Sequence, residues 1–207
     1  MTDMEQFFSK TRQHTGDVYV ADYTQYSKGH PTCMKGVEIS DEKPDDIESL
    51  TFLNPNNVPV VSVNFEENEQ FFRTGENKQI HSSCECMLVS AQGSARKRWL
   101  ALVELKYCKA ADINIASNFE AAISQLETTF IYLKDTKNVF SQDEYCYFWV
   151  VSMPEHSDKA PFSAFAWSQD DALRYQDLYK VTIYSDNQVE IWTGSVLKPK
   201  KHSTFLK

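Results

Sequence analysis

The chain has 207 residues, of which 42% are hydrophobic, 13% aromatic and 24% charged, and its net charge is -8. This composition is that of a globular chain, and it excludes an intrinsically disordered protein. The negative charge argues against a surface covered in phosphate contacts, but it does not exclude a local basic groove. No run approaches the roughly 18 apolar residues of a membrane helix, so no membrane partner is expected.

The N-terminus and the cysteines bear on the compartment. The N-terminal run Met-Thr-Asp-Met-Glu-Gln lacks the basic and then apolar pattern of a signal peptide. The five cysteines have neither the Cys-x-x-Cys spacing nor the histidine partners of a zinc site. We expect them to be free thiols in a reducing environment, and we predict a cytoplasmic protein.

The first 57 residues predict few regular elements, and we expect them to form an extension packed on the core of a single domain. Residues 4–12 predict a short helix and residues 18–23 a strand. Residues 44–53 predict a second short helix, because a proline and acidic residues fall in its first turn. The Asn-Pro-Asn-Asn run at 54–57 then ends this region.

Residues 58–153 predict the core of the domain. The β-branched residues 58–65 and the run 83–90 predict two strands. Residues 98–109 predict a third strand whose start is apolar on both faces, as in a central strand covered on both sides. Because only the short polar loop 91–97 separates them, the second and third strands are predicted to form an antiparallel hairpin.

A helix and a further strand follow this hairpin. Ser117 and Glu120 have the spacing of a capping box. Apolar residues at helical spacing then extend to about residue 134; they are Phe119, Ala122, Ile123, Leu126, Phe130 and Leu133. Residues 145–153 predict a buried strand. A helix that links two buried strands favours a mixed sheet with helices packed on it.

Residues 154–207 predict an addition to this core. Residues 169–179 predict a helix, and residues 181–184 and 188–192 predict a hairpin around Ser185-Asp-Asn187. The lysine-rich residues 198–207 predict a loose basic tail. The expected fold class is mixed α+β or α/β, with a central mixed sheet flanked by helices and an extra C-terminal helix and hairpin.

Charged residues interrupt the central strand near its end. Glu104 and Lys106 lie two residues apart on one strand face. If the hairpin arms pair, Glu85 of the preceding strand comes close to Glu104. Two neighbouring carboxylates repel each other unless a cation lies between them, and Mg²⁺ prefers such oxygen ligands. A lysine beside that metal would orient an attacking water or neutralise charge on the phosphate, an arrangement suited to phosphodiester hydrolysis.

These features, in this order, resemble the PD-(D/E)XK nuclease superfamily, which has the restriction-endonuclease-like fold. The resemblance covers about residues 58–153 and rests on an acid-bearing strand, then Glu104-Leu105-Lys106, a helix and another strand. It implies a metal-dependent nuclease core in which Glu85 and Glu104 bind Mg²⁺ or Mn²⁺ and Lys106 is catalytic. Gln125 in the following helix resembles a glutamine that some nuclease branches place near the site. The resemblance also implies a nucleic-acid partner, with DNA favoured over RNA and RNA left open.

The chain departs from the superfamily at both residues of the Pro-Asp motif. Cys84-Glu85 stands where the superfamily has Pro-Asp, and the extra methylene of glutamate alters the geometry available to a metal. The upstream helix of the superfamily often supplies another acid. Glu48 and Glu69 are both candidates here, and the pattern does not choose between them.

Other interpretations of the same residues stay open. Glu-x-Lys triplets arise by chance, and residues 76–78 repeat the spacing in a polar stretch. Glu104 and Lys106 could form an ordinary ion pair at the rim of a sheet, with Glu85 facing solvent on an edge strand and Gln125 exposed on its helix. The alternatives to a nuclease are a non-catalytic binding or scaffold protein with the same fold and an unrelated α+β module.

Overall fold

The computed structural model describes residues 3–24, 36–74, 78–79, 83–91, 97–107, 114–140 and 144–199. Within them the strands are β1 (Arg12–His14), β2 (Val18–Asp22), β3 (Val37–Ser40), β4 (Leu50–Leu53), β5 (Val60–Asn64), β6 (Arg73–Thr74), β7 (Lys78–Gln79), β8 (Cys86–Ser90), β9 (Arg98–Leu105), β10 (Tyr145–Ser152), β11 (Val181–Tyr184), β12 (Gln188–Thr193) and β13 (Val196–Pro199). The α-helices are α1 (Glu69–Phe72), α2 (Ile115–Ile131) and α3 (Gln169–Tyr179), and a π-helical turn (Tyr132–Thr136) extends α2. Short 3-10 helices are Asp3–Gln6, Pro154–Lys159 and Phe162–Phe165.

The first sheet has the strand order β1-β5-β8-β9-β10-β11. β5, β8 and β9 pair antiparallel in succession, so the predicted hairpin of β8 and β9 is confirmed. Residues 92–96 of its loop lie outside the described residues. α2 then leads to β10, which lies parallel to β9, and α3 leads to β11, which lies parallel to β10. β9 is therefore a central strand, with β8 on one side and β10 on the other.

The second sheet has the order β13-β12-β4-β2-β3. β2 pairs antiparallel with both β3 and β4, and β12 pairs parallel with β4 and antiparallel with β13. β6 and β7 form a separate two-stranded ribbon. Because β4 and β12 lie far apart in the chain, the second sheet is assembled from both ends of the sequence.

β9 is buried on both faces, as its sequence predicts. Trp99, Ala101 and Val103 pack into a core between the two sheets. Leu100 and Leu102 pack into a second core on the opposite face, beneath α2 and α3. None of these five side chains is exposed to solvent. The molecule therefore has three layers, with the helices on one face of the first sheet and the second sheet on the other.

The apolar stripe of α2 is confirmed as the face that packs on the first sheet. Its buried members include Phe119, Leu126 and Phe130, and burying a side chain of this size contributes about 1.5–3 kcal/mol. The predicted capping box is wrong, because the helix begins at Ile115 and the Ser117 hydroxyl donates to the Asn114 carbonyl at 3.1 Å. A capping box does occur at α3, whose boundaries match the predicted helix.

The elements predicted for the first 57 residues are correct only in part. The strand at 18–23 is confirmed as β2. The helix predicted at 4–12 is instead a 3-10 turn (Asp3–Gln6) followed by β1. The helix predicted at 44–53 is also wrong, because its last four residues form β4. Leu50 and Phe52 of β4 are fully buried between the sheets, and this tertiary burial outweighs the local helix signals.

The predicted C-terminal hairpin is wrong as well. β11 joins the first sheet beside β10, whereas β12 joins the second sheet beside β4, so the two strands do not pair with each other. The buried Asn187 fixes this crossing between sheets, because its side chain binds Ser152 Oγ at 2.7 Å and both backbone polar groups of Met153. β12 forms its hairpin with β13, which includes residues 198–199 of the predicted loose tail. Residues 200–207 lie outside the described residues.

The mixed α+β class is confirmed by the two mixed sheets and the helices packed on one of them. Cys84, Cys86 and Cys146 are free thiols, as predicted, while Cys33 and Cys108 lie outside the described residues. In the part of the chain that the structure describes, each helix is too short or too polar to cross a bilayer.

Candidate carboxylate site at the end of the central strand

Glu104 is a buried carboxylate near the end of β9. It follows Leu100 and Leu102 on the strand face that lies beneath α2, and its side chain has 0% exposure. One carboxylate oxygen, Oε1, accepts a hydrogen bond from Lys106 Nζ at 2.5 Å. The other oxygen, Oε2, is buried and has no hydrogen-bond partner among the described residues. Burying a carboxylate without satisfying both oxygens is costly, so Oε2 marks a site with an unmet demand for a donor or a cation.

The Lys106 ammonium is held between the strand and the helix. Besides Glu104, it donates to Gln125 Oε1 of α2. Gln125 is half-buried, and the Lys106 side chain is 21% exposed, so the ammonium lies at the boundary between the core and solvent. Three of the four residues predicted for the site are thus in direct contact, and Gln125 is bonded within the site instead of standing free on its helix.

Glu85 lies immediately before β8, beside the end of β9. Its backbone N–H donates to the Val103 carbonyl at 3.0 Å. The neighbouring thiols show that the regular alternation of side chains is interrupted here, since Cys84 packs beneath α2 and Cys86 packs between the sheets. The Glu85 side chain is half-buried and does not face open solvent.

The two glutamates hold protons unusually tightly. Burial raises the pKa of Glu104 from its ordinary value of 4.5 to about 7, while the Lys106 ammonium and the Glu85 backbone N–H oppose this rise. Burial also raises the pKa of Glu85 well above its ordinary value, and the negative charge of Glu104 raises it further. The two carboxyl groups share a single ammonium and repel each other when both are ionised. A proton is therefore bound here more strongly than at a surface carboxylate.

Asp22 is a third acid whose charge acts on the two glutamates, and the sequence pattern did not single it out. It is the last residue of β2 in the second sheet and is 7% exposed. Its negative charge raises the pKa of both Glu85 and Glu104. A signal for it was present in the sequence, because Val18, Val20 and Asp22 alternate along one face of the predicted strand, and a charge at the end of an inward face is unusual.

The two upstream acids predicted as candidates have other contacts. Glu69 of α1 forms an ion pair with Arg73, four residues along the chain. The Glu48 side chain is exposed, and its backbone carbonyl accepts a hydrogen bond from the Tyr107 hydroxyl at 2.7 Å. The contacts that the structure gives these two residues do not involve Glu85 or Glu104.

An open groove of about 370 Å³ borders the same region, and its lining is mainly acidic. The lining residues are Lys43, Pro44, Asp45, Asp46, Ile47, Glu48 and Glu155. Tyr107, which follows Lys106 in the chain, links the groove to the end of the central strand by donating to the Glu48 carbonyl, and the Tyr23 hydroxyl donates to Asp46 of the groove at 2.7 Å. A phosphate backbone is repelled by such a surface, so this groove is not where a nucleic acid would lie.

The residues of the site fit a divalent cation by their chemistry. Glu104 Oε2 is an orphaned buried acceptor, and Glu85 adds a second carboxylate of the kind that hard cations prefer. The described residues nevertheless include no group of three His, Cys, Asp or Glu side chains already gathered as metal ligands. A cation at Glu104 would therefore require the neighbouring carboxylates to turn towards it.

Comparisons with known proteins found no similar protein. The chain matches no protein-family model, and no curated protein and no solved structure matches it either. The functional argument therefore depends on the geometry and electrostatics of the chain's own residues.

Proposed function

We propose that this protein is a divalent-metal-dependent nuclease that hydrolyses phosphodiester bonds in nucleic acid. The observation that carries the proposal is Glu104 Oε2, a fully buried carboxylate oxygen with no hydrogen-bond partner among the described residues. Leaving a buried acceptor unsatisfied costs about 1–3 kcal/mol, and more when it is charged. A bound cation would remove that cost, and it would also relieve the repulsion between Glu104 and Glu85.

The topology around this oxygen supports the proposal. β8 and β9 pair antiparallel, α2 follows, and β10 pairs parallel with β9. This is the succession of elements on which the resemblance to the PD-(D/E)XK superfamily rests. It brings Glu85, Glu104 and Lys106 to the same end of two neighbouring strands. We therefore propose a restriction-endonuclease-like core for the first sheet and α2.

Each residue of the site has a role in this proposal. Glu85 and Glu104 would hold Mg²⁺ or Mn²⁺, which supplies Lewis-acid activation of the phosphate and of water when it is bound. Lys106 Nζ, partly exposed, would orient the attacking water and neutralise charge on the phosphate oxygens. Gln125 is a positioning residue, because its Oε1 fixes the ammonium. In the reaction the water oxygen bonds to phosphorus and its proton passes to solvent, while the bond to the leaving sugar oxygen breaks and that oxygen takes up a proton from solvent.

A non-catalytic binding or scaffold protein is the second candidate, and the contacts of Lys106 favour it. The ammonium bonds to Glu104 and to Gln125 at once, so it neutralises part of the charge that a metal would otherwise neutralise. The acidic groove beside the site also disfavours a polyanion. In this case the buried carboxylates and the Lys106 ammonium would form a structural ion-pair cluster, and no metal would bind.

Cleavage of supercoiled plasmid and of single-stranded RNA with Mg²⁺ or Mn²⁺ tests the proposal. The wild-type protein should nick DNA only when metal is present, and a chelator should stop the reaction. Lys106→Ala should reduce the rate by about 100-fold or more, as expected when a group that stabilises transition-state charge is removed. The exposed Lys10 provides the matched control, because Lys10→Ala removes a lysine far from the site in sequence and should leave the rate unchanged.

Two outcomes would reject this function. A wild-type protein that cleaves neither DNA nor RNA with either metal would favour the non-catalytic candidate. Cleavage that persists in Lys106→Ala at the wild-type rate would show that a different site, or a contaminant, is responsible.

A further inference from the structure

Trp192 is an exposed tryptophan of β12, on the outer side of the second sheet. Its neighbour Ile191 is fully buried between the two sheets, whereas Trp192 is 47% exposed. Trp99 and Trp149, by contrast, are 0% exposed. The register of β12 against β13 shifts between Ile191 and Thr193, so Trp192 lies at a β-bulge. A bulge re-aims the side chain that it carries, and bulges are over-represented next to functional sites.

A cationic side chain lies on the indole ring of this tryptophan. Lys198 Nζ of β13 is 3.7 Å from the centroid of the Trp192 ring. Lys198 is exposed, and Lys200 and Lys201 follow it in a sequence that has no acidic residue from 196 to 207. In a chain with a net charge of -8, this is a local run of positive charge. An exposed aromatic ring beside lysines offers a stacking surface to a base and a counter-charge to a phosphate.

We infer that Trp192 and Lys198 form a binding point for single-stranded nucleic acid, at which a base stacks on the indole and the ammonium pairs with a phosphate. The inference rests on the proposed function for its choice of nucleic acid, and it requires neither metal nor cleavage. Stacking of a base on an aromatic ring is generally stronger than an exposed cation–π contact, so the ammonium can leave the ring for a phosphate. A duplex is disfavoured, because its bases would first have to unstack.

This binding point is remote from the carboxylate site. The Trp99 N–H at the start of β9 donates to the Gly194 carbonyl at 3.2 Å, so the turn between β12 and β13 lies at that end of the strand. Glu104 and Lys106 lie at the other end of β9, roughly 20 Å away at about 3.3 Å per residue. A nucleic acid bound at Trp192 would therefore be held outside the cleavage site, and its binding can be measured separately from cleavage.

The experiment measures the affinity of the full chain for a labelled oligodeoxythymidylate by fluorescence anisotropy, with a chelator present so that metal does not contribute. Trp192→Ala should weaken binding by about tenfold or more, as the loss of one stacked base does. Trp192→Phe keeps an aromatic ring and should keep most of the affinity. Lys198→Gln should reduce the slope of log affinity against log salt by about 0.7, the value for one phosphate contact on a single strand.

Phe165 provides the matched control for an exposed aromatic ring. It is 46% exposed, nearly the same as Trp192, but it belongs to a 3-10 helix packed against α2, on the other side of the molecule. Phe165→Ala should therefore leave the affinity for the oligonucleotide unchanged. An equal loss of affinity in Phe165→Ala and Trp192→Ala would overturn the inference.

The remaining outcomes separate this inference from the proposed function. Unchanged affinity in Trp192→Ala would overturn the inference alone, whatever the cleavage assay shows. A duplex that binds as tightly as the single strand, or a polyglutamate peptide that displaces the oligonucleotide at equal charge, would also overturn it, because base stacking would not be the basis of recognition. Binding that depends on Trp192 in a protein that cleaves nothing with Mg²⁺ or Mn²⁺ would support the inference while the proposed function fails.

Discussion

The raised pKa of Glu104 makes the stability of the fold depend on pH in a predictable direction. Burial raises this pKa from 4.5 to about 7 in the folded protein. The folded state therefore binds the proton more tightly than the unfolded chain does. The contribution of this proton to the free energy of unfolding is fully present below about pH 4.5 and is lost as the pH rises through about 7. A difference of one in pKa corresponds to about 1.4 kcal/mol, so the difference between the folded and unfolded pKa values of Glu104 corresponds to about 3 kcal/mol.

Glu104→Gln removes this proton equilibrium while keeping an oxygen that can accept from Lys106. We expect the free energy of unfolding of the wild type to fall by about 3 kcal/mol more than that of Glu104→Gln between about pH 4.5 and about pH 8. Glu85 adds to the difference in the same direction, because its pKa is raised by burial and then by the charge of Glu104. Once Glu104 carries no charge, the contribution of Glu85 shrinks as well.

Urea denaturation followed by circular dichroism across this pH range measures the effect. Glu120 is an exposed glutamate on α2, so Glu120→Gln controls for the general effect of losing one carboxylate. The control should follow the wild-type pH dependence. Parallel stability curves for the wild type and Glu104→Gln would refute the argument, since they would show that Glu104 titrates equally in the folded and unfolded states.

Two further predictions concern the helices that cover the first sheet. Leu126 of α2 has 0% exposure, so Leu126→Ala should lower the free energy of unfolding by about 3 kcal/mol through the cavity that it leaves. As the control, Leu173→Ala on the exposed face of α3 should change it by less than about 0.5 kcal/mol. Equal losses for the two variants in urea denaturation would contradict the layer arrangement. Ser168 caps α3 by accepting a hydrogen bond from the Asp171 N–H. Ser168→Ala should therefore lower the free energy of unfolding by about 1 kcal/mol and speed amide exchange in the first turn of α3. Unchanged exchange there would show that the cap contributes little.

The parts of the fold that could be predicted are those fixed by local patterns of side chains. β9 could be identified as a central strand because its apolar residues occupy both faces, and each face meets its own core. The stripe of α2 likewise follows from residues three and four apart. Glu104, Lys106 and Gln125 come together because the strand and the helix that carry them pack directly against each other.

The parts that could not be predicted depend on contacts between distant segments. β4 shows local helix signals, yet it is a strand because β12 and β2 pair with it from far along the chain. β11 and β12 look like a hairpin, but each finds a partner in a different sheet. Asp22 contacts Tyr107 only because the second sheet packs on the first, and the irregular backbone at Glu85 leaves no mark in a pattern of alternating residues.

The most direct test of a cation at Glu104 is anomalous diffraction from a crystal soaked in Mn²⁺. We predict a peak at about 2.1–2.5 Å from Glu104 Oε2, within the range of metal–oxygen bonds, with the Glu85 carboxylate turned towards the same ion. An unperturbed Glu104–Lys106 pair with no anomalous peak beside it, at saturating Mn²⁺ and above pH 7, would contradict it.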